Sequence, residues 1–210
     1  MTEALRIQSP NILFHVINRG NAKQVIFREA QDFRLYLELL SKYKTKFDIR
    51  IYHFALMSNH VHLLLEATRE NTMSKFMQGL TIAYTKRFNK KYQSVGHVWQ
   101  ARFRSIPIET DSYYLQCARY IGLNPIRANL VRHPIEYPWS TYSHSTQQSS
   151  FSWIDTHPLL QELQKKKNAY QQLVENEIEQ ARQHRSQNFS RFSIYGTPKF
   201  IKAFSDLRYL

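Results

Sequence analysis

The sequence predicts an α+β fold, a small antiparallel sheet backed by helices, on three observations. Apolar runs of strand length recur four times, two long segments between them carry apolar residues at helical spacing, and the second and third runs are separated only by the turn residues Ser58-Asn59. Residues 12–18 read as a first strand, closed by the turn-forming Asn18-Arg19-Gly20-Asn21. Residues 29–46 read as a helix, because Phe33, Tyr36, Leu37, Leu40 and Tyr43 fall on one face. Ile49–Met57 and His60–Ala67 are the next two strands and read as a hairpin. Asn71-Thr72 open a second helix reaching about residue 91, with Met73, Phe76, Met77, Leu80 and Tyr84 at helical spacing. A glycine-containing loop, 94–100, leads to a fourth strand over 102–109. Thr110-Asp111 then start a third helix, which Pro125 interrupts or ends.

The resulting order, β-α-β-β-α-β and a further helix, is the ferredoxin-like or RRM-like topology, with two helices on one face of the sheet. Residues 1–142 form this domain. Residues 143–152, rich in Ser, Thr and Gln, read as a linker, and 153–210 as a helical extension. In the extension Asp155-Thr156 suit a helix cap, 166–183 a polar helix, and Thr197-Pro198 the cap and first position of a last helix. No internal repeat is visible.

Charge narrows the partner. The chain carries 29 Lys and Arg against 16 Asp and Glu, a net +13. Between 69 and 132 there are 11 basic and 3 acidic residues, a net +8, while 151–210 reach only +3. A concentrated positive field favours a polyanion such as nucleic acid. The 42% hydrophobic content excludes a disordered chain. No apolar run is long enough to span a bilayer and no leader is visible; with Cys117 the one cysteine, a reducing cytoplasm is the expectation.

Two groups of residues could carry chemistry. On a strand His60 and His62 share a face, roughly 6–7 Å apart along the backbone, close enough to converge on one metal ion, while Val61, Leu63 and Leu65 point into the core. The pair is weak alone: nine histidines in 210 positions give roughly 0.4 such pairs by chance. Tyr120 and Asn124 lie four apart on the third helix, hence on one face. In isolation Tyr120 reads as one of 13 tyrosines packing a core, and Asn124 as a helix stop before Pro125. Together the four make coherent phosphodiester chemistry. A phenol whose ordinary pKa is about 10 needs a polarised phosphate, and two imidazoles with one amide oxygen would hold Mg²⁺ or Mn²⁺ with positions left open.

Leu56-Met57-Ser58-Asn59-His60-Val61-His62-Leu63-Leu64 resembles the His-hydrophobic-His signature of the single-tyrosine, HUH-endonuclease transposases. Phe14-His15-Val16-Ile17-Asn18-Arg19-Gly20 is similar to that family's opening strand, and Trp99-Gln100-Ala101-Arg102-Phe103-Arg104 to its late strand. Arg119-Tyr120-Ile121-Gly122-Leu123-Asn124-Pro125-Ile126-Arg127-Ala128 resembles the segment bearing its nucleophile, and the similarity runs in order from about 11 to 142. The resemblance implies that Tyr120 attacks single-stranded DNA beside a hairpin and becomes linked to a 5′-phosphate. It implies that His60, His62 and Asn124 bind the metal. Many relatives carry Gln at the third position; the shorter Asn and the long tail look more like the REP-associated tyrosine transposases, the branch linked to repetitive extragenic palindromes. Relatives include dimers that exchange the nucleophile helix, so monomer and homodimer both stay open.

Arg19, Lys86, Arg87, Lys90, Trp99, Arg102 and Arg104 are the candidate DNA contacts. Each has a plainer reading. The lysines and Arg87 could complement a helix dipole, Trp99 could anchor the core, and Arg102 and Arg104 could flank a packed Phe103 on an edge strand. Glu66 reads as a strand-end surface carboxylate. Two rival functions remain: a non-catalytic nucleic-acid-binding module using Tyr52 and Phe54, and a structural zinc site, for which the usual ligand spacings are missing.

Overall fold

A computed structural model describes residues 12–109, 112–142, 151–165 and 169–183, together with 197, 198 and 201. Four strands, β1 (Leu13–Arg19), β2 (Ile49–Met57), β3 (His60–Ala67) and β4 (Arg104–Ile108), make one antiparallel sheet in the order β2-β3-β1-β4. Helix α1 (Ala30–Phe47) joins β1 to β2, and α2 (Thr72–Tyr92) joins β3 to β4. Helix α3 (Ser112–Arg127) follows, and α4 (Pro158–Gln164), α5 (Ala169–Glu175) and α6 (Ile178–Gln183) form the described part of the extension. The α+β expectation and its element order are met. No described helix is long and apolar enough to cross a membrane.

The pleat sorts side chains onto two faces. Phe14, Val16, Val61, Leu63 and Leu65 pack with the apolar sides of α1 and α2. Leu13, Ile17, Leu64, Ile106 and Ile108 face the other way, against Cys117, Tyr120, Ile121 and Leu123 of α3. This alternation fixes the register of the histidines. Slipping β3 by one residue would drive His60 and His62 into the α1/α2 core and expel Val61 and Leu63 from it, at about 1.5–3 kcal/mol for each apolar side chain moved. The observed register pairs Ile17 with His62 and Arg19 with His60.

A β-bulge between Ile51 and His53 breaks the alternation of β2. Tyr52 consequently packs on the α3 side while Phe54 lies in the α1/α2 core, so these two aromatics do not share a face. The outer edge of β2 is covered. Leu56 N–H donates to the Trp139 carbonyl at 2.9 Å, Thr141 N–H to the Phe54 carbonyl at 3.0 Å, and Ile51 N–H to the Asp155 carboxylate at 2.8 Å. These bonds satisfy groups that an open edge would leave unpaired.

Several boundaries and roles depart from the sequence expectation. β4 begins at Arg104, leaving Arg102 in the preceding bend. Asp155 does not cap a helix, because it serves the β2 edge and pairs with Lys44 at 3.0 Å; the cap of α4 is His157, whose Nδ1 accepts from Leu159 N–H, with Pro158 at the first position. The helix expected over 166–183 is two, α5 and α6, broken at Asn176-Glu177. Glu66 is buried, not a surface carboxylate: the Tyr52 hydroxyl donates to it at 2.7 Å and Arg50 pairs with it at 3.2 Å. Pro125 lies inside α3, which continues to Arg127. The proposed linker falls mostly outside the described residues, as does the expected start of α3 at Thr110-Asp111.

Candidate active site

β3 and α3 bring Tyr120 to the His pair. The rings of His60 and His62 meet edge to face with centroids 4.9 Å apart, as two alternate positions on one strand face should. Tyr120, delivered by α3, sets its ring edge against His62 at 5.8 Å and against His15 at 5.9 Å. Asn124 sits one turn beyond Tyr120, buried, and its amide nitrogen engages no hydrogen-bond partner among the described residues. A buried amide N–H left unpaired costs on the order of 1–3 kcal/mol, which an acceptor oxygen brought by a ligand would recover.

The histidines are poised as neutral donors. Burial lowers the pKa of His60 to about 4, helped by the Arg19 charge, and places that of His62 well below the usual histidine value. His60 has a defined tautomer. The Asn59 amide nitrogen donates to the Lys23 carbonyl at 3.2 Å, which turns the amide oxygen toward His60; His60 Nδ1–H donates to that oxygen at 2.6 Å. The proton is thereby placed on Nδ1, and Nε2 keeps its lone pair. His62 Nδ1 lies 2.8 Å from His15 Nε2, one hydrogen bond between two stacked rings.

Among the described residues no three of His, Cys, Asp and Glu stand together to hold a metal. A divalent ion at the His pair could complete its shell with oxygens, such as the amide oxygen of Asn124 or those of a substrate. Two neutral imidazoles and an amide also match the mixed nitrogen and oxygen donors that Mg²⁺ and Mn²⁺ sites share with phosphate.

Tyr120 itself is buried, and burial raises its pKa, while the Arg127 and Arg19 charges pull it down. The Arg127 guanidinium carbon lies 4.8 Å from the Tyr120 ring centroid, and its Nη1 donates to the Tyr120 carbonyl at 3.0 Å. The preceding residue, Arg119, is held by Glu177 of the extension at 2.7 Å.

The structure separates the remaining candidates. Arg19 and Arg104 lie on the face of the His pair, Arg19 opposite His60 and Arg104 opposite Ile17. Lys86, Arg87 and Lys90 are exposed on α2, which packs on the opposite face of the sheet. Trp99 is half-buried against that same core, its ring 5.9 Å from Tyr84 and its Nε1–H donating to the Thr81 carbonyl at 3.4 Å. Arg102 is exposed just before β4. Sequence reasoning gave no role to His15, Asn59 or Arg127. Period-two alternation does put His15 on the face of Ile17, but nothing in the pattern names its partner.

A family model described as "Transposase IS200 like" matches residues 8–124. The chain belongs to the IS200-like transposase family. Among solved structures, this IS200-like transposase is similar in fold to a REP-associated tyrosine transposase bound to a REP hairpin, with a TM-score of 0.58 at 17% identity, over 76% of this chain and 93% of that one. A putative transposase from Deinococcus radiodurans R1 aligns with a TM-score of 0.40 at 21% identity, over 58% of this chain and 95% of that one. No curated protein matches this transposase. The family match ends at Asn124, so α3 up to that residue lies within it and the extension lies beyond it.

Proposed function

We propose that the chain is a metal-dependent transposase that nicks and rejoins single-stranded DNA beside a hairpin, through a transient bond between Tyr120 and a 5′-phosphate. The observation that carries this reading is the edge of the Tyr120 ring held against His62, with His60 alongside. That the solved structure of similar fold is bound to a REP hairpin supports a hairpin substrate, and the Asn at position 124 fits the REP-associated branch.

In the forward step Tyr120 Oη bonds to the phosphorus, the bond from phosphorus to the 3′-oxygen breaks, and that oxygen leaves as a 3′-hydroxyl. The phenol proton departs through solvent as the new bond forms. Rejoining is the reverse: a 3′-hydroxyl attacks the phosphotyrosine and Tyr120 regains its proton. One phosphodiester replaces another, so no external energy source is needed. His60, His62 and Asn124 would hold the ion. When bound, Mg²⁺ or Mn²⁺ supplies Lewis-acid polarisation of the scissile phosphate. Arg127, stacked over the Tyr120 ring, fixes the nucleophile and places positive charge where negative charge develops. The alternative of a non-catalytic RRM-like module has less support, because Tyr52 and Phe54 lie on opposite faces and α3 covers the sheet face left free of α1 and α2.

The test is incubation with a panel of short hairpin-bearing single strands, with and without Mn²⁺. A covalent protein–DNA adduct should form only with metal and should vanish in Tyr120→Phe, which removes one oxygen and leaves the packing. An undiminished adduct in Tyr120→Phe would refute the assignment, and adduct formation in excess chelator would refute the metal.

A further inference from the structure

His15 stands at a position that apolar packing alone would not choose. It lies on the inner strand β1, paired on both sides by β3 and β4, and is fully buried. Burying an imidazole costs free energy unless its nitrogens find partners. Its Nε2 finds His62 Nδ1 at 2.8 Å, and the two rings stack with centroids 5.1 Å apart at 23°. The contact is diagonal across the ladder: Ile17, not His15, is the direct cross-strand partner of His62.

A parallel arrangement exists at the other member of the pair. There Asn59 Oδ1 can only accept, so His60 must carry its proton on Nδ1. A neutral imidazole in water favours the opposite tautomer, with the proton on Nε2. An acceptor at Nδ1 is what reverses that preference. Among the described residues the candidate acceptor at His62 Nδ1 is the Nε2 of His15, 2.8 Å away.

We propose that His15 is a positioning residue, accepting the Nδ1 proton of His62 so that this ring keeps a bare Nε2 and a fixed orientation. The two histidines are then prepared alike: Asn59 holds His60, and His15 holds His62. Both the direction of this hydrogen bond and its consequence for metal affinity rest on the metal-dependent reading given above, because a His62 that offers Nε2 to an ion carries its proton on Nδ1 and needs an acceptor there. Removing a hydrogen-bond partner that orients a ligand histidine typically weakens metal binding about 10- to 100-fold.

Ring-¹⁵N NMR of the metal-free protein should show His62 protonated on Nδ1 and bare on Nε2. His15→Phe keeps a ring for stacking and removes the acceptor, so it should lose that tautomer preference and bind Mn²⁺ about 10- to 100-fold more weakly in an EPR titration. His15→Gln, whose amide oxygen falls near the lost Nε2, should restore both readouts to near wild type. Thermal unfolding of the metal-free variants separates positioning from packing: His15→Phe leaves the buried His62 nitrogen unpaired and should lose some stability, whereas a Mn²⁺ affinity restored in His15→Gln follows the acceptor and not the packing of the ring. A wild-type His62 carrying its proton on Nε2, or His15→Phe binding Mn²⁺ as tightly as the parent, would overturn the proposal. A parent that shows the Nδ1 tautomer yet binds no Mn²⁺ would refute the metal reading while upholding the hold of His15 on His62.

Discussion

His15, His53, His60 and His62 are all buried or nearly so, and burial drives each toward its neutral form. The folded pKa falls to about 3 for His15 and His53 and about 4 for His60, below the unfolded value of about 6.5. As pH falls through 6.5 the unfolded chain takes up protons that the folded chain refuses, so stability is full above that pH and declines toward pH 4. His15, His60 and His62 touch one another and take up protons as a group, so the loss belongs to the set and not to each ring separately. Urea unfolding of the metal-free protein should therefore show a steep drop between pH 6.5 and pH 5. His53 lies away from the His60–His62 pair, bonded to Thr141 at 3.2 Å and to Tyr114 at 3.1 Å, so His53→Gln should lessen that drop. An identical pH profile in that variant would show that His53 is not a contributor. At this scale the sequence named His60, His62, Tyr120 and Asn124 but not what holds them. The His-x-His spacing is a strand pattern and therefore legible. The His15–His62 contact depends on diagonal placement across the ladder, which no linear spacing records, whereas Arg127 lies two turns beyond Tyr120 on the same helix, a spacing the sequence does carry.

Strands β2 and β3 were readable to the residue because their apolar runs are long and Ser58-Asn59 punctuates them. Helices α1 and α2 were readable within a residue or two, whereas the single helix expected over 166–183 is two. What failed at this scale were the elements whose ends are set by distant partners. Asp155 has the look of a helix cap, a role open to any Asp before a short apolar stretch. Its carboxylate instead receives Ile51 N–H and the Lys44 ammonium, because the bulged edge of β2 presents an unpaired donor there. Glu66 likewise looked like a strand-end charge, yet the bulge turns Tyr52 onto its face and buries it. The break between α5 and α6 leaves Glu177 in the interhelical turn, paired with Arg119. A local pattern could not report any of these long-range pairings. Asp155→Ala should leave both the Ile51 N–H and Lys44 without their acceptor and lower the unfolding free energy by about 1.5–3 kcal/mol, the range for hydrogen bonds to a charged group. Chemical denaturation measures it, and a loss under about 0.5 kcal/mol would show that the covered edge contributes little.

The net charge of +13 becomes informative for the whole molecule once its distribution over the two faces of the sheet is known. For single-stranded DNA each neutralised phosphate adds about 0.7 to the slope of log affinity against log salt. Arg19 and Arg104 share the face of His62, so Arg19→Ala with Arg104→Ala should lower that slope by about 1.4 on a short strand. Alanine at Lys86, Arg87 and Lys90, on the other face, should change it less, and the reverse ranking would place the DNA path along α2. The same geometry sets Tyr120 beside the His pair within a single chain. Tyr120 packs on His62 and His15 of its own chain, and α3 is tied down within that chain. Arg119 pairs with Glu177, Arg182 donates to the Arg132 carbonyl at 2.9 Å, and Tyr142 packs with α3 and the extension helices. Exchanging α3 with a second copy would require all of these contacts to break before the nucleophile could leave. Nucleophile and His pair should therefore act within one molecule. Mixing equal amounts of Tyr120→Phe and His62→Ala, each inactive alone, should give no adduct on a hairpin substrate with Mn²⁺, even at high protein concentration. Adduct recovered in the mixture would mean that Tyr120 of one chain reaches the histidines of another, and that the contacts between α3 and the extension open during the reaction.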